Sequence, residues 1–298
     1  MDYLLSEIAD ICGGRLAGRD RRVDEVATDS RSCSTGRSAV FAAIGGKNHD
    51  GHDYIEQMYR RGIAAFIVEH DIALPSEECG AVVVESALAA LQRLAAHHRS
   101  RFGGTVVAVT GSNGKTIVKE WIASATPRNV KYVASPMSYN SQLGVALSLL
   151  MIEGDEQVAY IEAGISHPGE MERLERMIRP QITVFTSIGD AHSSNFTGRR
   201  QQIDEKLVLA QGSQTIIYHG RYEDLARRIA QTYPDRELID ARDEELDRLH
   251  ERSEALAIDA RLTAALCRRL GYPFDAATAK VDVAMRLEVK EGIASSTI

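Results

Sequence analysis

The sequence predicts an α/β protein of two units: a small N-terminal α/β domain over residues 1–100, and a central P-loop-type domain over residues 101–298 built on a mostly parallel sheet. Three observations carry this prediction. The chain's 298 residues give room for two separate cores. From residue 105 onward, short runs of β-branched and apolar residues alternate with helical segments, the pattern of parallel strands covered on both faces. A glycine-rich loop, TGSNGKT (Thr110 to Thr116), stands between one of these strands and a helix.

In chain order, Leu4, Leu5, Ile8 and Ile11 recur at helical spacing, and Gly13-Gly14 stops that helix. Tyr54, Ile55, Met58 and Tyr59 define a second helix that ends near Gly62. AAFIV (Ala64 to Val68) and AVVV (Ala81 to Val84) read as strands. The segment Ser86 to Arg99 puts Leu88, Leu91, Leu94 and Ala95 on one helical face, and RFGG (Arg101 to Gly104) breaks the pattern at the domain boundary. The central domain then reads as strand TVVAVT, helix from Thr116, strand QVAYIEAG, helix from Gly169, strand ITVFTSIG, helix over Asp204 to Gln211, and strand QTIIY. Tyr222 to Gly271 reads as helices around a short strand, ELID, and VAMRLEV gives a final strand pattern.

With 44% hydrophobic and 26% charged residues the composition is that of a soluble globular protein. No apolar run approaches the ~20 residues that span a bilayer. A formal charge of −7, with no stretch that clusters basic and aromatic residues, argues against nucleic acid as a partner. The N-terminal MDYLLSEIADICGG has no basic lead, so it reads as an amphipathic helix rather than a secretory signal, and the mature chain is expected to start there. Cys12, Cys33, Cys79 and Cys267 are scattered without close metal-ligand spacing, which fits structural cysteines in a reducing cytoplasm. The cluster Gly45, Gly46, His49, Gly51 and His52 fits a substrate loop better than a metal site.

In a loop such as Gly111, Ser112, Asn113, Gly114, Lys115 and Thr116, glycines let backbone N–H groups turn around phosphate oxygens, and the following helix offers its positive N-terminus to the same charge. Lys115 is placed for the β- and γ-phosphates and the Thr116 hydroxyl for Mg²⁺. Val109 stands where the full Walker pattern has glycine, so only GxxGKT remains. The bland alternative is a glycine-rich turn that only connects strand and helix.

The TGSNGKT form of the loop resembles the Mur ligase family, whose members join an amino acid or peptide to a UDP-sugar peptide. Further segments follow in that family's order: SYNSQLG (Ser138 to Gly144), IEAG (Ile161 to Gly164), SIGDAH (Ser187 to His192) and DEKLVLA (Asp204 to Ala210). Upstream, ATDSRS (Ala27 to Ser32), AVFAAIGGKNHDGHDYI (Ala39 to Ile55) and RRGIAAFIVE resemble its N-terminal uridine-nucleotide domain. The pairing of DSR with DGHDYI, together with SHPGEMERL (Ser166 to Leu174), is most similar to the branch that adds D-alanyl-D-alanine to UDP-N-acetylmuramoyl-tripeptide.

The resemblance implies ATP and Mg²⁺ as cofactors, with UDP-N-acetylmuramoyl-tripeptide and D-alanyl-D-alanine as substrates. A substrate carboxylate would attack the γ-phosphate, and an amine would displace the acyl-phosphate. It assigns the chemistry to Lys115, Glu162, His192 and Lys206, and the metal to Thr116, Glu162, His192 and Lys206, with Lys206 as the family's carbamylated lysine. Ser30 and Arg31, with Asn140, Ser141 and Gln142, would hold the sugar-peptide substrate. Taken as residues alone, Glu162 reads equally as a capping glutamate, His192 as a loop histidine and Lys206 as a solvated helix lysine. Asn140 to Gln142 read equally as a cap for the helix near Leu143, and Asp29 as a turn partner of Arg31. Ser187 departs from the family's asparagine, and Ala255 stands roughly where an asparagine near adenine is expected. The family's third, Rossmann-like domain is expected beyond Ile298, so the chain alone is expected to ligate poorly. Some members that resemble it carry a fused alanine racemase. A ligase with another acceptor and a non-catalytic nucleotide-binding module are the competing readings.

Overall fold

A computed structural model describes residues 1–29, 38–46, 50–189, 195–244, 246 and 253–275. The N-terminal unit runs β1 (Tyr3–Leu4), α1 (Leu5–Cys12), β2 (Arg15–Gly18), β3 (Arg22–Val23), β4 (Glu25–Ala27), β5 (Ala39–Ala42), α2 (Ile55–Arg60), β6 (Ala65–Val68), β7 (Gly80–Val83) and α3 (Ala87–Ser100). Its main sheet has the order β2-β7-β6-β5-β4, parallel except for β2, and β1 pairs antiparallel with β3 beside it. The short strands β2 to β5 show no marked periodicity, because two- to four-residue strands are too short to show an alternation, whereas α1 ends at Gly13 as its Gly13-Gly14 pair predicts.

The central unit continues β8 (Thr105–Thr110), α4 (Lys115–Ala125), β9 (Tyr132–Ala134), α5 (Gln142–Leu150), β10 (Val158–Glu162), α6 (Glu170–Ile178) and β11 (Ile182–Phe185). It closes with α7 (Arg199–Leu207), β12 (Thr215–Tyr218), α8 (Glu223–Thr232), β13 (Glu237–Asp240) and α9 (Glu254–Leu270). Every described pairing in its six-stranded sheet is parallel, in the order β13-β12-β11-β8-β10-β9. Val106 to Val109 and Val158 to Ile161 are all buried, as strands covered on both faces require. From β8 the chain goes first toward β9 and β10 and later crosses to β11 on the other side, so the carboxyl end of β8 opens at a topological switch point, where open sheets collect ligands.

One expectation is corrected. The helix expected over Asp204 to Gln211 begins at Arg199 and its α-helical part ends at Leu207, followed by a 3₁₀ turn over Val208–Ala210. The polar opening Arg199-Arg200-Gln201-Gln202 hides its start, and the side chain of Gln201, accepting from Thr197 N (2.7 Å), marks it instead. The VAMRLEV strand pattern lies outside the described residues. Cys12, Cys79 and Cys267 are free and buried, and Cys33 lies outside the described residues. Among the described residues no helix is long and apolar enough to cross a membrane.

The two units share a core. Leu91 and Leu94 of α3 belong to the same buried cluster as Leu149 of α5 and Met171 and Leu174 of α6. Arg99, in the last turn of α3 and 6% exposed, donates to Ile178 O (2.8 Å) and Arg179 O (3.0 Å), carbonyls left over at the end of α6.

Candidate functional site

The phosphate loop turns sharply between β8 and α4. Gly111 has φ +148°, and a Cβ there would lie 2.0 Å from Thr186 Oγ1; Gly114 has φ +87°, and a Cβ there would lie 2.3 Å from Asp259 Oδ1. Both positions therefore favour glycine for backbone angle, and at Gly111, where a Cβ would also press on Ser187 O, for space as well. Ser187 braces the loop: its carbonyl accepts from Ser112 N (2.6 Å) and its Oγ from Asn113 N (3.0 Å). The residue that departs from the family pattern thus holds the strand end of β11 against the loop.

Lys115 opens α4 and donates to Gly111 O (3.1 Å) and Ser112 O (3.3 Å). Lys206, in the last turn of α7 and only 3% exposed, donates to the same Gly111 carbonyl at 3.3 Å. Burial, and then the neighbouring charge of Lys115, lower the Lys206 ammonium from 10.5 to about 8. Two cations and a helix N-terminus converging here favour an anion.

Glu162 ends β10 beside Val109 of β8 and is 1% exposed. Its two oxygens accept from Thr116 Oγ1 (2.9 Å) and Asn140 Nδ2 (2.6 Å), and its N–H donates to Ser135 Oγ (3.1 Å). It is neither a helix cap nor a surface carboxylate; it joins the phosphate loop to the segment before α5. In that segment Ser141 Oγ accepts from Gly144 N (3.1 Å), so Ser141 caps α5. Gln142 Oε1 accepts from Gln92 Nε2 of α3 (2.9 Å) and its Nε2 donates to Glu170 O (2.9 Å), tying the N-terminal unit to the site.

A cavity of about 330 Å³ brings together Gly111, Ser112 and Lys115 of the loop, Asn140, Ser141 and Gln142, and Lys206. Lys206 is therefore not the solvated helix lysine of the bland reading. The cavity is also lined by Leu88, Gly164, Ile165, Ser166 and Glu170, which the sequence reading did not single out as site residues. Gly164 and Ser166 fall in segments quoted for the resemblance, so the signal for them was adjacency to IEAG. Burial pushes the Glu170 carboxyl up, but the N–H groups of Ser166 (2.6 Å) and His167 (2.9 Å) outweigh it and the group lies below the usual range. A second cavity, about 840 Å³, shares Ser141 and Leu143 with the first and reaches Thr28, Asp29, Phe41 and Tyr54 of the N-terminal unit. The two form one groove from the N-terminal sheet to the phosphate loop. His192, Ser30 and Arg31 lie outside the described residues. On α9 the buried Asp259 faces the loop at Gly114.

Two family models match the chain in succession: residues 22–99 match "Mur ligase family, catalytic domain", and residues 109–236 match "Mur ligase middle domain". UDP-N-acetylmuramoyl-tripeptide–D-alanyl-D-alanine ligase of Bacillus subtilis (strain 168) is 30% identical over 222 residues, covering 72% of this chain and 48% of that protein. The ligase of the same name from Escherichia coli (strain K12) is 34% identical over 196 residues, covering 64% of this chain and 41% of that protein. The chain thus spans about half the length of the curated relatives it matches. Among solved structures, MurF from Acinetobacter baumannii superposes with a TM-score of 0.80 at 23% identity, over 91% of this chain and 66% of that one. MurF ligase from Thermotoga maritima in complex with ADP gives 0.72 at 24% identity, over 85% and 65%. Both likenesses are of fold.

Proposed function

Because the chain belongs to the Mur ligase family, we propose that it supplies the sugar-peptide and ATP sites of a cytoplasmic ligase that joins D-alanyl-D-alanine to UDP-N-acetylmuramoyl-tripeptide. The observation that carries this reading is the convergence of Lys115, Lys206, Asn140 and the Thr116–Glu162 pair at the carboxyl edge of the parallel sheet. The relatives named for this reaction and the neighbour holding ADP support it.

The groove fits the order of the chemistry. A UDP-sugar anchored on the N-terminal unit would extend its peptide along the larger cavity, and its terminal carboxylate would meet the γ-phosphate over the loop. Attack there forms a C–O–P bond as the β–γ bridge of ATP breaks and ADP leaves; the incoming amine then displaces phosphate and gives an amide. Negative charge gathers at the phosphates as they transfer, and Lys115 and the N-terminus of α4 stand where that charge develops. Asn140 and the groove walls orient the peptide arm and limit water.

Among the described residues no three His, Cys, Asp or Glu side chains cluster to chelate a metal unaided. A hydroxyl beside one carboxylate, Thr116 and Glu162, is the hard-oxygen donor set of a Mg²⁺ shared with phosphates. When bound, the ion would neutralise phosphate charge. Lys206, with its ammonium near 8, keeps a neutral fraction at working pH; a neutral amine adds CO₂ to give an anionic carbamate and a proton, and the reading assigns it that modification. His192, Ser30 and Arg31 keep the roles that the resemblance gives them, as metal ligand and diphosphate contacts.

Titration calorimetry of the chain with Mg·ATPγS and with UDP-N-acetylmuramoyl-tripeptide tests both sites. Lys115→Ala is expected to weaken the nucleotide by about 10- to 100-fold, the worth of a charge-assisted contact, and to leave the sugar-peptide untouched. Phosphate release by the full-length protein with D-alanyl-D-alanine against other amines then identifies the acceptor. Absence of binding by either ligand would overturn the reading.

A further inference from the structure

One buried cation near the site is used by none of the steps above. Lys119 lies one turn beyond Lys115 on α4 and is 0% exposed. Its Nζ donates to Ser135 O (2.6 Å) and Met137 O (2.6 Å) and pairs with Glu120 Oε1 (2.8 Å), so its three donors are all engaged. Both carbonyls belong to the loop between β9 and α5. In that loop Met137 takes φ +46°, a left-handed conformation unusual for a side chain of this kind, while 70% exposed. An exposed methionine gains little packing to offset that conformation, so something else imposes it, and the bond from Lys119 falls on its own carbonyl.

The loop leads directly to the groove. Ser135 Oγ accepts from Glu162 N, three residues after Met137 comes Asn140, and Asn140 holds both Glu162 Oε1 and, through its carbonyl, Gly164 N (2.9 Å). A buried ammonium is expensive to desolvate, and an apolar side chain would fill the same space. What the apolar side chain would lack is the ability to gather two carbonyls to one point.

We infer that Lys119 is a positioning residue: it holds residues 135–141 against the phosphate-loop helix and thereby sets Asn140 beside the phosphate loop where a sugar-peptide substrate needs it. Its part in substrate affinity rests on the ligase reading; its part in holding the loop does not.

The test compares Lys119→Met, Met137→Val and, as a control on the same helix, Val118→Ala. Hydrogen exchange reads the loop without ligand. Lys119→Met is expected to speed exchange of amides 135–141 by about tenfold or more while α4 and β8 keep their protection. Met137→Val, a β-branched residue set against the left-handed conformation from the exposed side, is expected to do the same to a lesser degree and serves if Lys119→Met does not fold. Calorimetry reads the site: both variants bind UDP-N-acetylmuramoyl-tripeptide about tenfold more weakly and Mg·ADP within about twofold of the parent. Val118→Ala lowers Tm and changes neither readout. Unchanged exchange in 135–141, or a control that reproduces both effects, overturns the assignment. A parent chain that binds no sugar-peptide overturns the ligase reading instead, and exchange still decides Lys119.

Discussion

At the scale of single residues, Lys206 carries the sharpest consequence. Its folded value near 8 lies below its ordinary 10.5, first because it is buried and then because Lys115 is close. Between those values the unfolded chain binds the proton and the folded chain does not, so stability from this group rises with pH across that window. Below about pH 8 the folded state carries the full penalty, on the order of 3 kcal/mol. Lys206→Met should therefore be more stable than the parent at pH 7 by up to roughly that amount, with the gain shrinking from pH 8 to vanish near 10.5. The difference between variant and parent is the quantity to measure, by urea unfolding at several pH values. The parent's own curve also contains Cys12, which burial raises to about 11 and which lowers stability as pH climbs from 9. A difference that stays flat from pH 7 to 10.5 would show that the ammonium is not penalised by folding.

At the scale of elements, α5 joins a structural role and a proposed substrate contact at Ser141. Its hydroxyl caps the helix, and it also lines both cavities. Ser141→Ala is expected to cost about 1 kcal/mol of stability, while Ser141→Asp, an equally good cap, restores it. The added carboxylate faces the same cavity as Lys115 and Lys206, so Ser141→Asp should bind UDP-N-acetylmuramoyl-tripeptide worse than Ser141→Ala does. Chemical denaturation set beside calorimetry separates the two roles, and equal affinities for the two variants would make Ser141 a cap alone. This doubling explains what the residues could and could not reveal. The phosphate loop and the parallel strands were legible, because glycines at fixed offsets and continuous β-branched runs are local signals. The start of α7 at Arg199 was not, since four polar residues carry no helical stripe. Gln142 lies in the SYNSQLG segment and lines the cavity, but its partners Gln92 and Glu170 O come from α3 and α6, and no spacing rule connects positions 50 and 28 residues apart. Lys119 was invisible for the opposite reason: a lysine in a helix reads as solvated, and only the packed structure shows it at 0% exposure.

At the scale of the whole molecule, the sequence boundary at RFGG divides the chain more cleanly than the packing does. The α3 helix belongs by sequence to the N-terminal unit, yet Leu91 and Leu94 are fully buried in a cluster completed by Leu149, Met171 and Leu174 from the central unit. Polar contacts cross the same seam: His98 Nε2 bonds with Ile152 O (2.7 Å), and Arg99 reaches the end of α6. Uncovering a buried leucine forfeits about 1.5–3 kcal/mol, and two of them with the seam's hydrogen bonds rival the margin by which a domain of this size is stable. A fragment of residues 1–104 should therefore bind the dye ANS and melt without a cooperative transition, while the whole chain melts in a single calorimetric step. The groove then follows the seam for a physical reason: its two halves are walls of one folding unit, so the sugar-peptide proposed for the N-terminal sheet and the nucleotide proposed for the loop would keep a fixed separation. A cooperative transition in the fragment within a few degrees of the whole chain would show two independent units, and that separation would then have to be set by the ligands rather than by the fold.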